Sequence, residues 1–340
     1  MNRIKPIIFA LLAAAFYAIN VPLSKLLMKH VGPTTMAALL YLGAGIGVGI
    51  MSIGRKRGEK LNRKDLLFVI GMIVLDIAAP IFLMFGINIG SSSCASLLGN
   101  FEIVATTVIA LLVFKEVVST RLWMAIGLIT LSSIVLSFDG MNSFQLSYGS
   151  LFVLLATICW GLENNCTRKI SSKSTYEIVL LKGIFSGLGA LGIALIKKEG
   201  LPEFQFMIFA LLLGFLAYGL SIFLYVRAQN SLGAAKTSAY YAVAPFIGSF
   251  LSFLFLREEL TSSYLIALVI MIVGTVFVVM DTLVRNHIHQ HQHTFIHTHD
   301  GNTHSHTIVH SHDHNHYGTH ESHQHHHSKE QLEHELNLQR

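Results

Sequence analysis

Four ionisable residues, Asp76, Glu102, Glu163 and Lys182, are flanked on both sides by strongly apolar sequence. In hydrocarbon a charge costs on the order of 3 kcal/mol or more unless it meets a countercharge or a water-lined cavity. Each of the four is therefore a candidate functional group. Asp76 is followed by Ala78-Ala79-Pro80, and a proline removes a backbone donor and disturbs the preceding helical turn. Glu102 lies near the middle of the next apolar block, so the two carboxylates come to similar depth on consecutive antiparallel helices. Facing one cavity, they resist ionising together and share a proton, the chemistry of a relay. Facing away from each other, they are structural acids bonded to Ser or Asn. Glu163 and Lys182 also come to similar depth on consecutive blocks. They could form an ion pair that opens as a gate or a static pair, or Lys182 could snorkel alone to the interface.

Aromatic residues Tyr17, Trp160, Tyr240 and Tyr241 could line a cavity for an organic molecule, with ring faces for packing and hydroxyls for direction. The alternative is plain packing or anchoring at the membrane interface. Pro22 and Pro245 mark helix breaks that free carbonyls for a cavity to use. Gly43, Gly45, Gly47 and Gly49, with Gly183, Gly187, Gly189 and Gly192, are explained by close helix packing.

Eighteen of the 19 histidines lie beyond residue 286, and only His30 lies outside that tail. They alternate with other residues at His287, His289, His291, His293, His297, His299, His304, His306, His310, His312, His314 and His316, and His325, His326 and His327 follow in a run. Neutral imidazoles at this density bind zinc, nickel, cobalt or copper, because a flexible strand brings three or four nitrogens around one ion. No apolar periodicity that could build a core accompanies them, so composition predicts a disordered tail. Cys94, Cys159 and Cys166 fall inside apolar blocks without C-x-x-C spacing, which points to neither a disulfide framework nor a cysteine zinc site.

The elements that must hold these groups follow from composition. Of 340 residues 52% are hydrophobic and 13% charged, against ~25% charged in soluble domains. Apolar runs of about twenty residues, the length that crosses a bilayer core, occupy roughly 6 to 28, 34 to 53, 66 to 87, 92 to 114, 121 to 138, 147 to 167, 177 to 196, 206 to 226, 234 to 256 and 262 to 283. The first run follows Arg3 and Lys5 but has no clean cleavage site, so it reads as a retained helix. Ten spans leave both termini on one side. With the N-terminus inside, inner segments hold 16 Lys and Arg and outer ones 5, which predicts cytoplasmic termini and tail. The Lys and Arg form no continuous basic face, which excludes nucleic acid as a partner.

The chain also overlays itself. A shift of 143 lays Phe9 to Tyr17 over Phe152 to Trp160, Lys25 over Arg168 and Asn20 over Glu163; a shift of 142 aligns Asn88 with Asn230, Ser96 with Ser238 and Phe114-Lys115-Glu116 with Leu256-Arg257-Glu258. Each half then has five spans. An odd number inserts the second half from the opposite face, the inverted repeat of many alternating-access carriers.

These residues resemble the drug/metabolite transporter superfamily, specifically its ten-span members with two EamA-type repeats. The resemblance covers about residues 6 to 283. It rests on Phe16-Tyr17-Ala18-Ile19-Asn20 leading to Gly32-Pro33, and on Gly90 to Glu116 through Ser96-Leu97-Leu98 and Phe101-Glu102. The third motif runs from Asn230-Ser231-Leu232-Gly233-Ala234-Ala235 through Pro245 to Arg257-Glu258-Glu259-Leu260-Thr261. Glu102 precedes Ile103 where many relatives have proline. The resemblance implies an all-α integral membrane fold, repeats over 1–140 and 141–283 and a separate tail over 284–340. It also implies small organic solutes as cargo, commonly exported and proton-coupled in some relatives, and places the equivalents of Asn20 and Glu163 beside the central pathway.

The expectation is a secondary transporter in an inner membrane with no required cofactor, with pairing of two chains left open. No G-x-x-x-x-G-K-[ST] loop is present to hold ATP phosphates, and no H-E-x-x-H or G-x-S-x-G motif points to an enzyme. Two other readings stand: a transporter of divalent metal or metal chelate whose tail gathers the ion, and a metal-responsive receptor that transports nothing.

Overall fold

The computed structural model describes residues 4–54, 59–114, 119–137, 147–232, 237, 240–283, 285–299 and 302–316. Two compact units result, Met1–Val279 and Met280–Arg340. In the first unit the regular elements are helices: α1 (Ile4–Ala18), α2 (Asn20–Leu27), α3 (Pro33–Met51), α4 (Leu66–Ile89), α5 (Ser92–Leu98), α6 (Phe101–Phe114) and α7 (Thr120–Leu136). In the second half follow α8 (Tyr148–Ile170), α9 (Thr175–Leu181), α10 (Gly187–Ile196), α11 (Phe204–Gly214), α12 (Ser221–Leu232), α13 (Ala244–Leu256) and α14 (Ser262–Leu283).

Seven helical stretches among the described residues are long and apolar enough to cross a membrane, and Thr120–Leu136 and Ala244–Leu256 are shorter apolar helices. Large apolar side chains such as Leu67, Ile196, Phe250 and Val269 are exposed on the outside. In water such a surface would drive aggregation; against lipid tails it costs nothing.

Several blocks are interrupted where a continuous helix was expected. The block at 92 to 114 breaks at Gly99-Asn100 between α5 and α6. Between α9 and α10, Lys182–Ser186 forms a π-helical turn, and Phe215–Leu220 forms another between α11 and α12. A π turn inserts an extra residue and re-aims the side chains beyond it, which is why such turns gather at functional sites.

Charged side chains close several helix ends. The first turn of a helix leaves amides unsatisfied and its end partly positive. At α3 the Glu199 carboxylate accepts from the Thr34 and Thr35 amides at 3.2 and 2.8 Å. At α5 the Glu258 carboxylate accepts from the Ser92 and Ser93 amides, both at 2.8 Å. The opposite polarity holds at the end of α4, where Lys25 donates to the Gly90 and Asn88 carbonyls at 2.9 and 3.2 Å and also to that of Ile87.

The two halves of the first unit interdigitate. From the second half, α8 packs along α4 and against α6, while α12 packs on α1, and α3 lies against α10, α11 and both π turns. Small residues permit these approaches: a Cβ built on Gly45 would fall 2.7 Å from the Ile184 amide nitrogen. The close packing read from the glycine spacing is therefore what α3 requires.

In the second unit, β1 (Arg285–His299) and β2 (Asn302–His316) pair antiparallel. Disorder was expected here from the lack of a core-building pattern. Period-two alternation with interspersed Thr, Ile and Val is the local pattern of a strand.

Candidate functional site

The interface between the halves holds a cavity of about 70 Å³, lined by Tyr17, Tyr41, Asp76, Glu102, Trp160 and Glu163 together with Asn164, Thr167, Lys182, Tyr218, Gln229 and Tyr241 among others. All four intramembrane charges face it. The chain brings them there from α4, α6, α8 and the π turn after α9.

The charges sort into a cluster and a separate acid. Lys182 Nζ lies 2.7 Å from Glu163 Oε1 and 3.3 Å from Asp76 Oδ2. Asp76, Glu163 and Lys182 are all buried. The Tyr41 hydroxyl donates to Asp76 Oδ1 at 2.7 Å, and the Thr167 hydroxyl donates to Glu163 Oε1. Two carboxylates thus surround one ammonium; Tyr41 meets the other oxygen of Asp76, while Thr167 shares Glu163 Oε1 with the ammonium. Such a cluster offsets its desolvation only because several polar groups converge.

Glu102 stands apart. Its Oε1 accepts from the Asn164 side-chain amide at 2.6 Å. An amide dipole compensates a carboxylate charge far less than an ammonium does. Glu163 and Asn164 are consecutive on α8, so a helix turn of about 100° per residue aims one at the Lys182 cluster and the other at Glu102.

Aromatic rings form the rest of the wall. Tyr17 packs edge-on to Trp160 and Tyr218 with centroids 6.3 and 5.9 Å apart, and Tyr41 meets Tyr218 at 5.0 Å. Tyr241 packs at 5.9 Å from Tyr17 and 5.0 Å from Tyr225.

Most sequence candidates converge on this cavity. Asn20 is buried one layer behind, its amide donating to the Tyr218 hydroxyl at 3.2 Å. Tyr240 is half-buried and is not part of the lining. The Glu163–Lys182 pair is one of the arrangements offered by the sequence, and one further pairing was not among them. Asp76 joins Lys182 rather than Glu102, because α4 packs on the π turn that carries Lys182. Lys182 is 4% exposed and so does not snorkel. Tyr41, Asn164, Tyr218 and Gln229 escaped the sequence reading. For Asn164 a signal was present, since an amide beside Glu163 in an apolar block also needs a polar neighbour.

Among the residues whose side chains are described, no group of three or more His, Cys, Asp or Glu is arranged to hold a metal ion. The tail histidines from His287 to His316 lie on β1 and β2. His325, His326 and His327 lie outside the described residues, as do Lys115, Glu116 and Ser238.

The EamA-like transporter family matches residues 4–138 and 147–280. The chain belongs to that family. The two matches begin at residues 4 and 147, an offset of 143, the same shift at which the sequence overlays itself. An uncharacterized transporter of Methanothermobacter thermautotrophicus is 24% identical over 297 residues, covering 81% of this chain and 86% of its own length. One protein of known crystal structure is similar with a TM-score of 0.59 at 11% identity, covering 80% of this chain and 94% of its own. That second likeness concerns the fold alone. This EamA-like protein is thus a membrane transporter by family, and its buried polar cavity lies where its two family repeats meet.

Proposed function

We propose that this EamA-like protein is a secondary carrier of small organic solutes that works by alternating access, with Glu102 exchanging a proton against solute. The observation that carries the reading is the charge balance of the cavity: three carboxylates face a single ammonium, and that ammonium is held by Asp76 and Glu163. Glu102 is left with an amide. A carboxylate so placed is stabilised by a proton or by a cationic group of the cargo, and the two compete for it. The aromatic wall supports an organic cargo, since ring faces bind apolar and cationic groups alike.

In this reading the chain crosses an inner membrane ten times as two inverted five-helix repeats, with both termini cytoplasmic, and net transport is export. Lys/Arg distribution supports the orientation. The cavity, about 70 Å³, is several times the roughly 10–15 Å³ one water needs, yet small for an organic solute. In this reading the cavity widens as the helices move during alternating access.

Reconstituted protein tests the coupling. Solute-driven proton movement across proteoliposomes should be lost in Glu102→Gln while solute counterflow persists. Undiminished proton movement in that variant removes Glu102 from the role. Absence of counterflow by the unaltered protein, across amino acids, nucleosides, sugars and organic amines, would sink the carrier reading itself and favour a receptor.

A second reading, divalent metal or metal chelate as cargo, draws support from the tail histidines. The cavity lining contains no His or Cys, and zinc, nickel and copper prefer such donors, so a bare ion is disfavoured there. Deleting residues 287–340 should leave organic counterflow intact and alter metal flux only if the second reading is right.

A further inference from the structure

Pro22 and Pro245 lie outside the cavity lining, and each stands at a helix break. A helical carbonyl accepts from the amide four residues on, and a proline has no amide hydrogen to give. Pro22 therefore leaves the carbonyl of Ala18 without its helical donor where α1 gives way to α2 at Ile19. Pro245 does the same to the carbonyl of Tyr241 just before α13. A third break, Gly99-Asn100, separates α5 from α6. The three breaks lie on elements packed together: α13 contacts α1, α2 and α5, and a Cβ built on Gly99 would fall 3.6 Å from Pro245 Cγ.

Polar atoms collect at this junction. Ser96 and Asn100 are 5% and 1% exposed. Among the described residues, neither Ser96 Oγ nor either side-chain polar atom of Asn100 has a hydrogen-bond partner. Buried polar groups are seldom left in that condition, because leaving them unmet is costly. Ser96 Oγ and the Ala18 carbonyl oxygen face the same space beside α13: a Cβ built on Gly248 would fall 3.2 Å from the first and 3.0 Å from the second. Asn100 follows one turn after Ser96, its amide donating to the Leu97 carbonyl at 3.2 Å as the chain passes through the break. Ala18, Ser96 and Asn100 are not part of the cavity lining, although Tyr17 and Glu102, their near neighbours in the chain, are.

We infer that this junction is a sodium site in which the Ala18 carbonyl, Ser96 Oγ and Asn100 Oδ1 hold the ion. All three are hard, neutral oxygens. Calcium and magnesium sites rely on carboxylates, and zinc, nickel and copper prefer nitrogen or sulfur, so a monovalent alkali ion is the class that fits. Carbonyls freed at broken helices are the groups that take sodium in membrane carriers. A Cβ beside Gly248 would already crowd both oxygens, which favours sodium over the larger potassium. Helix C-termini also favour cations, and Ala18 and Ser96 belong to the last turns of α1 and α5. Glu102, with only an amide beside it, supplies negative charge two residues past Asn100 that offsets the desolvation of the ion. A water in the ion's shell accepts from Asn100 Nδ2. The inference does not depend on what the cavity carries.

Thermal unfolding of the detergent-purified full-length protein tests it, with sodium chloride exchanged for potassium chloride or choline chloride at constant ionic strength. An ion that binds the folded form raises the melting temperature as it saturates its site. Sodium should do so, and potassium and choline should not. Ser96→Ala and Asn100→Ala should each raise the half-saturating sodium concentration about tenfold or more, since each removes an oxygen from a charge. The comparison runs between salts within each variant, so a change in basal stability does not obscure it. Ser132→Ala is the control: the Ser132 hydroxyl on α7 donates to the Ala267 carbonyl at 2.7 Å, and its loss should leave the sodium response whole. A melting temperature indifferent to sodium would overturn the inference and leave water as the partner of these groups. Equal responses to sodium and potassium would overturn it, as would a sodium response in Ser96→Ala and Asn100→Ala matching that of Ser132→Ala.

Discussion

At the scale of single residues, Lys182 carries the cavity. It is the only ammonium among the described lining residues and it joins Asp76 on α4 to Glu163 on α8. Breaking a buried pair by removing one member typically costs about 3–5 kcal/mol, because the surviving charge stays buried. Lys182→Ala should therefore lower thermal stability in detergent strongly at neutral pH. Tyr41→Phe removes one hydrogen bond to a carboxylate and should cost less, roughly 1.5–3 kcal/mol. Differential scanning fluorimetry would read both; a Lys182→Ala loss no larger than that of Tyr41→Phe would mean the ammonium does not hold the two carboxylates.

At the scale of elements, α3 is the helix around which the others close, and its glycines do different work from those elsewhere. Gly45 touches the π turn after α9, whereas Gly192 on α10 has open space where a Cβ would stand. Gly45→Ala should then destabilise by about 1–3 kcal/mol through overpacking. Gly192→Ala should be neutral or gain a few tenths up to about 1 kcal/mol from helix propensity. Denaturant or thermal midpoints in detergent would separate them, and equal effects would contradict the packing described for α3. Much at this scale was legible in advance. Apolar run length located the helices, and polar residues inside those runs named Asp76, Glu102, Glu163 and Lys182. What stayed hidden was adjacency: α4 meets the π turn, so Asp76 answers Lys182, and nothing local to either residue encodes that meeting. The π turns were hidden for a similar reason, since their residues Lys182–Ser186 and Phe215–Leu220 have ordinary helical composition. Tyr41 and Tyr218 look like packing residues until the neighbouring helix supplies Asp76 and Asn20.

At the scale of the whole molecule, charged side chains bind the halves together outside the apolar core. Glu258, from the second half, holds the start of α5 in the first, and Glu199 holds the start of α3. Partial burial pushes both carboxyls up, but hydrogen bonds outweigh it and hold them below the usual range: those from Ser93, Ser91 and Ser92 on Glu258, and those from Thr34 and Thr35 on Glu199. A carboxyl whose value is lowered by folding contributes stability that is fully present above its unfolded value, about 4.3, and lost as pH falls through the lower folded value. Melting temperature should accordingly drop on acidification below about pH 4.3. The double variant Glu199→Gln, Glu258→Gln should melt lower at neutral pH and lose less on acidification. A double variant with the same acid-induced drop as the unaltered protein would mean that other carboxyls govern it.

Glu163 and Asn164 are neighbours on one rigid rod, and that has a mechanical consequence. If α8 rolls about its own axis so that Glu163 lets go of the ammonium, Asn164 swings off Glu102 in the same stroke. Whatever occupies one acid is thereby announced to the other by torsion of a single shaft, with no chain of water needed between them.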